Sequence, residues 1–360
     1  MSERQVGSAA RRATIIGSGL IGGSVGMALR ADGWHVSADD ADPEVAKRAV
    51  DVGAADAVGV DPMSDLVVLA GPVGVIPELA KRALAETTAV VTDVGSTKAQ
   101  ICSAIDDPRF IGGHPMAGSE QDGIDGARGD LFQGAMWVLT PTDHTEEASL
   151  AMVAGVVSKL GAEVIALAPA VHDRLVAQVS HVPHLTAAAL MTLADESSVE
   201  HRALLRLAAG GFRDMTRISA GRPSIWPDIC VANRDAIVAG LDGLITRLSD
   251  VRSKVLDEDR SGLLDLLTTA RHARINLPTS FRVTDEVAEV AVPIPDRPGE
   301  IAAIATLASE LDVNILDLDI THSGEGGRGV MLLMVDRKLG ERLVGGLMVR
   351  GYQPTLRQLD

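Results

Sequence analysis

A glycine-rich stretch near the start of the chain, from Thr14 to Ser24, constrains the fold more than any other segment. Apolar residues lead into Gly17, Gly19 and Gly22, which fall on the G-x-G-x-x-G spacing, and a helical pattern follows. This order predicts a buried strand, a tight turn and a helix that points its free N–H groups at an anionic ligand. Glycine-rich turns are common, but this context favours a turn that binds the pyrophosphate of a dinucleotide.

An acidic residue follows where a ribose-binding carboxylate is expected. Asp40 lies 18 positions after Gly22, at the end of the next predicted strand. A carboxylate there accepts hydrogen bonds from ribose hydroxyls and repels a 2′-phosphate, so NAD is favoured over NADP. The alternative is that Asp39, Asp40 and Asp42 form only a solvated turn before Pro43. The predicted cofactor-binding residues are Gly17, Gly19, Leu20, Ile21, Gly22 and Asp40.

Composition and charge narrow the class of protein. The chain has 360 residues, of which 46% are hydrophobic, enough for two or three domains. Its net charge of −16 argues against a nucleic-acid or anionic-membrane partner. The two cysteines, Cys102 and Cys230, are too few for a disulfide framework, which favours a reducing, cytoplasmic location. Glycines and serines at dinucleotide-loop spacing interrupt the apolar run after Arg12, so we interpret it as strand and loop rather than as a targeting segment.

Strands and helices alternate through residues 11–169. Short apolar strands separated by helices predict a doubly wound, mostly parallel sheet, the Rossmann-type α/β arrangement, which binds ligands beyond the carboxyl ends of its strands. The predicted strands are Ala13–Gly17, Trp34–Ala38, Ala57–Val60, Leu66–Ala70, Ala89–Asp93, Phe110–Gly112, Met136–Thr140 and Glu163–Leu167.

Two further domains are predicted. Residues 170–280 carry helical patterns and predict an all-α domain whose apolar spacing suits a dimer core as well as a monomer core; we favour a homodimer. These patterns are Val171–Ala194, Glu200–Ala209, Ile225–Val255 and Arg260–Arg274. Residues 286–360 follow the order βαββαβ, the plan of a small ferredoxin-like α+β domain.

Two polar motifs follow predicted strands and therefore lie on the ligand edge of the sheet. One is Asp93–Lys98, which contains Ser96, and the other is Gly112–Glu120, which contains His114. Histidine is a proton acceptor near neutral pH, and we expect His114 in a glycine-rich turn just beyond its strand. Ser96 has a simpler alternative role as the cap of the next helix.

The helical region carries a second polar set. Ser180–His184 has two histidines with H-x-x-H spacing, but no H-E-x-x-H motif is present and Pro183 disturbs the helical face, so we predict no metal site. We interpret one histidine as a substrate contact and the other as a packed neighbour. Gly210–Arg217 places Asp214 between two arginines, which predicts an anion site held by an ion pair, with a solvated surface cluster as the alternative.

Taken together, these motifs resemble the prephenate dehydrogenase family. The resemblance covers residues 12 to about 280 and depends on five motifs in order: Gly17-x-Gly-x-x-Gly22, Asp93-x-Gly-Ser96, His114-Pro-Met-Ala-Gly-x-Glu120, Ser180-His-x-Pro-His184 and Gly-Phe-Arg-Asp214-x-Thr-Arg217. The segment from Val287, with Asp296-Arg297-Pro298-Gly299-Glu300 between its first strand and helix, resembles an ACT domain, a small amino-acid-binding module.

The resemblance implies NAD-dependent oxidative decarboxylation of prephenate to 4-hydroxyphenylpyruvate in tyrosine synthesis, and a dimer formed by the helical domain. It implies that His114 takes the hydroxyl proton of the substrate, that Ser96 orients His114, and that Arg217 holds a substrate carboxylate. The other implied substrate-binding residues are His184, Asp214, Glu120 and Trp226. The tail implies feedback by a tyrosine effector, with Asp296, Arg297, Gly299 and Asn314 as the regulatory residues; a purely structural tail is the alternative.

Three alternatives for the function stay open. Arogenate dehydrogenases share these motifs, and arogenate differs from prephenate by an amino group in place of the keto group. A second alternative is a sensor that binds NAD and an amino acid without turnover, although such a protein has no need of Ser96, His114 and Arg217 together. A third is a different Rossmann-type dehydrogenase acting on a small hydroxy acid, with Lys98 as its catalytic residue.

Overall fold

The computed structural model describes residues 10–118, 121–198, 204–276, 287–295, 297–322 and 328–358. The chain divides into two compact units, Met1–Arg260 and Ser261–Asp360, and the division lies at the start of one helix.

The first unit is built on an eight-stranded sheet, and the eight predicted strands are confirmed with small shifts at their ends. The strands are β1 (Arg12–Ile16), β2 (His35–Asp39), β3 (Ala57–Val58), β4 (Leu66–Leu69), β5 (Val90–Asp93), β6 (Phe110–Pro115), β7 (Met136–Thr140) and β8 (Glu163–Ala166). Their order in the sheet is β3-β2-β1-β4-β5-β6-β7-β8. All neighbours are parallel except β6 and β7, which run antiparallel.

Helices cover both faces of this sheet, which is why its strands are apolar on both sides. They are α1 (Leu20–Ala31), α2 (Pro43–Asp51), α3 (Ile76–Glu86), α4 (Ala99–Ser103) and α5 (Glu147–Lys159). Residues of α1, α2 and α5 share one buried apolar cluster with the sheet, and residues of α3 and α4 share the other. The Rossmann-type α/β prediction is therefore confirmed for this part of the chain.

Strand β6 changes partner half-way along its length. It pairs in parallel with β5 at Phe110 and Ile111, and then in antiparallel with β7 from Gly112 to Pro115. The prediction that this strand ends at Gly112 was therefore wrong, because the antiparallel ladder carries it three residues further. His114 consequently lies in a strand rather than in the predicted glycine-rich turn, and it lies beyond the last residue that pairs with β5.

A helical segment completes the first unit, as predicted. It contains α6 (Pro169–Val176), α7 (Val182–Ser198), α8 (Gly210–Thr216), α9 (Trp226–Ala232) and α10 (Arg234–Leu256). A π-helical turn, Ala177–His181, joins α6 to α7. The prediction of one helix over 225–255 was wrong, because the chain breaks at Asn233, whose side chain is used in the site. In the predicted helix Glu200–Ala209, the described residues form only a short 3₁₀ turn, Leu204–Leu207, while residues 200–203 lie outside the described ranges.

The second unit has the βαββαβ order predicted from the sequence. Its elements are α11 (Arg260–Ile275), β9 (Val287–Pro295), α12 (Glu300–Glu310), β10 (Ile315–His322), β11 (Arg328–Asp336), α13 (Arg337–Val349) and β12 (Thr355–Gln358). The sheet order is β10-β11-β9-β12, fully antiparallel, so β10 and β12 are edge strands. Across the part of the chain that the structure describes, no helix is long and apolar enough to cross a bilayer.

Candidate active site

The glycine turn has the geometry that the dinucleotide motif requires. Gly17 has a φ of +97°, and a Cβ on Gly22 would lie 1.9 Å from the carbonyl oxygen of Gly17, so side chains are excluded at both positions. Helix α1 begins at Leu20, followed by Ile21, and no side chain caps its first turn. Free N–H groups therefore face outward beside Gly19, where a Cβ atom would meet nothing within 4 Å. These residues fit a bound pyrophosphate.

Asp40 is fastened to the glycine turn. One carboxylate oxygen accepts a hydrogen bond from the backbone N–H of Ser18 (2.7 Å), and the other accepts one from the N–H of Asp42 (3.0 Å). Its neighbour Asp39 instead forms an ion pair with Arg82 at 2.6 Å. Asp40 is thus the acid held next to the glycine turn, and a carboxylate oxygen has lone pairs left for ribose hydroxyls.

A buried ion pair lies beside β6, between the last residue of β5 and the loop that follows it. Lys98 is fully buried and its ammonium group binds the carboxylate of Asp93, which is also fully buried. The ammonium donates a second hydrogen bond to the carbonyl oxygen of Gly113 (2.8 Å), and the N–H of Gly113 donates to Asp93 (3.1 Å). This pair fixes the backbone of β6 immediately before His114.

His114 belongs to a chain of hydrogen bonds that enters the helical segment. Its Nδ1 lies 2.8 Å from Nε2 of His172, and Nδ1 of His172 lies 2.8 Å from a carboxylate oxygen of Asp173. His172 is fully buried and Asp173 nearly so, whereas His114 keeps part of its surface exposed. Helix α6 therefore supplies the partners that orient the ring of His114.

Asp173 also caps helix α4. Its carboxylate accepts hydrogen bonds from the N–H groups of Lys98 (2.7 Å) and Ala99 (2.8 Å). Burial opposes ionisation, but the hydrogen bonds from His172, Ala99 and Lys98 outweigh it and hold the pKa of Asp173 below its ordinary value. The alternative that Ser96 caps this helix is wrong, since Asp173 takes the N–H groups. Among the described residues, the Ser96 hydroxyl has no hydrogen-bond partner, His114 included.

The surroundings of His114 keep its ring neutral. Burial lowers the pKa of His114 well below its ordinary value, and electrostatic interactions with His172, Lys98 and His181 act in the same direction. A neutral imidazole that is partly exposed at the ligand edge can accept a proton from a bound molecule.

His181 and His184 have different environments. His181 is 1% exposed, and its Nδ1 accepts a hydrogen bond from the amide of Asn233 (3.2 Å). Burial lowers its pKa to about 4. His184 is less buried and stacks on Trp226, with ring centroids 3.6 Å apart and planes at 14°. Trp226 also meets His181 edge-on at 6.0 Å, so this indole joins both histidines within one chain.

The predicted anion site lies on a different element. Asp214 is exposed on α8, and Arg217 is exposed in the 3₁₀ turn that follows. Within the described ranges Asp214 forms no ion pair, so the predicted pairing through Asp214 was wrong. Glu120 lies outside the described residues.

The predicted regulatory residues lie in the second unit. Asp296 is outside the described ranges. Gly299, with a φ of +96°, precedes α12, and Arg297 donates a hydrogen bond to Glu300. Glu300 also accepts a hydrogen bond from Tyr352 (2.8 Å). Asn314 lines a cavity of about 350 Å³ between the end of α12 and the start of β10.

Comparison with known proteins identifies the family. Two family models match: the prephenate dehydrogenase nucleotide-binding domain over residues 25–166 and the prephenate dehydrogenase dimerization domain over residues 168–269. A prephenate dehydrogenase of Bacillus subtilis is 30% identical over 92% of this chain and 94% of its own length. The chain belongs to the prephenate dehydrogenase family.

Solved structures agree with this assignment. The prephenate dehydrogenase of Aquifex aeolicus in complex with hydroxyphenyl propionate and NAD+ is 30% identical, with a TM-score of 0.71 over 76% of this chain and 100% of that one. The arogenate dehydrogenase of Synechocystis is 29% identical, with a TM-score of 0.65 over 73% of this chain and 98% of that one. The family assignment and these structures make the chain an NAD-dependent oxidoreductase with a Rossmann-type and a helical dimerisation domain.

In this member of the prephenate dehydrogenase family, sequence reasoning missed the partners of His114. His172 and Asp173 lie on α6, and Asn233 lies at the break before α10. Nothing in their spacing indicates that they form a network with His114. The sequence suggests Lys98 only as a rival catalytic residue. One feature of the sequence could have indicated the ion pair. Asp93 and Lys98 carry opposite charges and lie on either side of a short loop that directly follows a buried strand.

The low pKa of His181 predicts a pH-dependent stability. In the unfolded chain His181 takes up a proton near pH 6.5, but in the folded chain it does so only near pH 4. The free energy of unfolding therefore falls as pH is lowered between these values. We expect this residue to account for a loss of about 3 kcal/mol across that window. Urea unfolding at several pH values should show a weaker pH dependence in His181→Gln than in wild type. The exposed His144→Gln is the matched control, and equal slopes in all three proteins would contradict the prediction.

Proposed function

We propose that the chain oxidises and decarboxylates prephenate to 4-hydroxyphenylpyruvate with His114 as the proton acceptor. The observation that carries this proposal is the position of His114: a neutral, partly exposed imidazole on the sheet edge that also holds the glycine turn. Strands β1 and β6 are three inter-strand steps apart, about 14 Å, so a dinucleotide extended from the glycine turn along this edge approaches His114.

The chemistry needs one base and accurate positioning. The ring carbon that bears the hydroxyl loses hydride, the hydroxyl proton goes to His114, and the bond to the ring carboxylate breaks to release carbon dioxide. The electron pair of that bond completes the aromatic ring, and the phenolate takes the proton back from His114. Because aromatisation makes the reaction strongly downhill, proximity and a single proton acceptor supply most of what the site must provide.

The residues that would hold NAD+ fit it, and NAD+ when bound accepts the hydride. The N–H groups of Leu20 and Ile21 would hold the pyrophosphate, Gly19 would leave it room, and Asp40 would bind the adenosine ribose. The acid favours NAD over NADP. Ser96, whose loop follows β5 between these two sites, would contact the nicotinamide side of the pocket.

The substrate carries two carboxylates, and the helical segment offers cations and aromatic surface for it. Arg217 would hold one carboxylate, and Asp214 and Glu120 are the further proposed contacts of the substrate. His184 and Trp226, already stacked on each other, would form the wall against the ring. The turn after Arg217 packs close to His184, since a Cβ on Gly221 would lie 3.7 Å from Cε1 of His184.

Lys98 is a poor candidate for the base. It is fully buried, and its ammonium group is committed to Asp93 and the carbonyl of Gly113. This favours His114 as the base and argues against the alternative of a hydroxy-acid dehydrogenase that uses Lys98. Arogenate dehydrogenase stays as the alternative substrate class, favoured by the similarity to the Synechocystis protein.

We also propose a homodimer formed through the helical segment. Helix α10 carries a stripe of apolar side chains that are 50–60% exposed in the single chain, namely Val238, Ile245, Leu248 and Val255. Their spacing places them on one side of the helix. An exposed apolar stripe of this kind marks an interaction surface, and the match to a dimerization domain supports a second copy as the partner.

The C-terminal residues 286–360 are proposed as an ACT-like regulatory domain that binds tyrosine, after a Rossmann-type domain over 11–169 and a helical domain over 170–280. The βαββαβ order and the cavity beside Asn314 support this. A cavity of about 350 Å³ is large enough for an amino acid. Asp312 and Asn314, which line it, offer a carboxylate for an ammonium group and an amide for a carboxylate.

Turnover with each substrate and cofactor tests the proposed reaction. We expect NADH, followed at 340 nm, from prephenate with NAD+, and slower reaction with arogenate or NADP+. His114→Asn should lower kcat by about 10²–10⁴-fold, because the base is lost. A wild-type protein inert toward both prephenate and arogenate would sink the proposed activity and favour the sensor, and a fully active His114→Asn variant would remove His114 from the mechanism.

The apolar stripe on α10 predicts a dimer that one charge disrupts. Sedimentation velocity should give twice the 37.6 kDa chain mass for wild type. Ile245→Asp should yield monomer, because a carboxylate buried at an interface without a partner is strongly destabilising. Thr246→Asp, at the exposed neighbouring position, is the matched control and should stay dimeric. A monomeric wild type, or a dimeric Ile245→Asp, would argue against this interface.

Tyrosine inhibition tests the C-terminal proposal. We expect tyrosine to inhibit the full chain, and Asn314→Ala to raise the inhibitory concentration at least tenfold by removing a hydrogen bond to the ligand. Glu341→Ala, an exposed position on α13, is the control. A chain cut after Ser280 should keep turnover and lose inhibition. Equal inhibition of the shortened chain would place the tyrosine site elsewhere.

A further inference from the structure

We propose that Asp173, acting through His172, fixes which ring nitrogen of His114 carries the proton, so that Nε2 of His114 is the bare acceptor. The proposal deepens the proposed function, since it depends on His114 being the base. Asp173 and His172 are positioning residues here. They act on the substrate only through His114.

The direction of the hydrogen bonds begins at Asp173. Its carboxylate receives two backbone N–H groups, from Lys98 and Ala99, and these groups can only donate. An ionised carboxylate has no proton to give, so its contact with Nδ1 of His172 must also be one that it accepts. Nδ1 of His172 is therefore protonated, and in a singly protonated ring Nε2 is bare.

The same logic passes to His114. The bare Nε2 of His172 lies 2.8 Å from Nδ1 of His114, and this contact is a hydrogen bond only if Nδ1 of His114 carries the proton. The opposite arrangement would bring two lone pairs together. Nδ1 of His114 is thus the donor, and Nε2, the other ring nitrogen, holds the lone pair that accepts the substrate proton.

Burial leaves this series of hydrogen bonds, from Asp173 through His172 to His114, only one arrangement. His172 is 0% exposed, so water has no access to its ring and cannot satisfy an alternative arrangement. The fully buried ion pair between Lys98 and Asp93 holds the backbone next to His114, which limits ring movement away from His172. A serine-protease triad uses a buried aspartate in the same way, to hold a histidine in one tautomer.

A second branch gives His181 the opposite tautomer. The side-chain amide nitrogen of Asn233 donates to the backbone carbonyl of Asp173 (2.8 Å), which can only accept, and the same nitrogen contacts Nδ1 of His181 (3.2 Å). His181 therefore accepts through Nδ1 and carries its proton on Nε2. His172 thus donates through its Nδ1 to the carboxylate of Asp173, whereas His181 accepts through its Nδ1 from Asn233, which is itself bound to the backbone of Asp173.

Substitutions at His172 separate this role from a structural one. We expect His172→Leu to lower kcat by roughly 10²-fold or more with little change in KM, because the substrate still binds but the base is held in mixed tautomers. His172→Gln should recover at least a tenfold part of that loss, since its side-chain oxygen accepts from Nδ1 of His114. Asp173→Asn should also lower kcat, but this substitution also weakens the cap of α4. The comparison of His172→Leu with His172→Gln is therefore the decisive test.

Matched controls use a surface pair of the same kind. His144 and Asp106 lie 3.8 Å apart and are exposed, so His144→Gln and Asp106→Asn should keep wild-type kcat. Urea unfolding identifies any variant that fails to fold. If a folded His172→Leu keeps kcat within twofold of wild type, or if His172→Gln recovers nothing over His172→Leu, the proposal is overturned.

Solid-state ¹⁵N NMR of the full-length enzyme with NAD+, labelled at histidine, reads the tautomer directly. The Nε2 signal of His114, identified by its loss in His114→Asn, should have the shift of an unprotonated nitrogen in wild type and should move toward a protonated shift in His172→Leu. A protonated Nε2 in wild type would overturn the proposal. This readout needs no turnover, so failure of the proposed function, seen as no NADH from prephenate, is distinguishable from failure of the tautomer assignment.

Discussion

The carboxylate of Asp173 is the contact on which the rest of the site depends. It accepts hydrogen bonds from the His172 ring and from the backbone of Lys98 and Ala99, and so joins helix α6 to the loop after β5. A buried carboxylate is costly unless its lone pairs are satisfied, and here three donors and the positive end of α4 satisfy it. The helical segment is thereby fixed against the sheet edge at the place where His114 needs a partner.

The ion pair between Lys98 and Asp93 provides the second fixed point. Both groups are fully buried, and both also bind the backbone of Gly113, where β6 leaves β5 and begins to pair with β7. Removing either partner would leave an uncompensated charge in the interior, which is far more destabilising than the pair itself is stabilising. A buried network whose members are satisfied is rigid, and this rigidity sets the position of His114.

The sequence predicted the elements better than it predicted their contacts. The alternation of apolar segments located all eight strands of the first sheet. The glycine spacing identified a tight turn in which positions 17 and 22 leave no room for a side chain. The position of His114 was wrong in detail because a switch from a parallel to an antiparallel partner has no local signal. The partnership with His172 could not be predicted for a related reason, because it depends on how helix α6 packs against the sheet and joins residues 58 positions apart in the chain.

The distribution of charge around His114 follows from its task. The titratable groups whose electrostatic interaction lowers the pKa of His114 are His172, Lys98 and His181, and no arginine is among them. Arg217, the arginine proposed to bind the doubly negative substrate, lies in the turn after α8 and is exposed to solvent. A guanidinium within a few ångströms of His114 would weaken it further as a base, since like charge disfavours the protonated ring. Carrying substrate recognition on one segment and the base on another lets a protein with a net charge of −16 attract an anion without disabling its own proton acceptor.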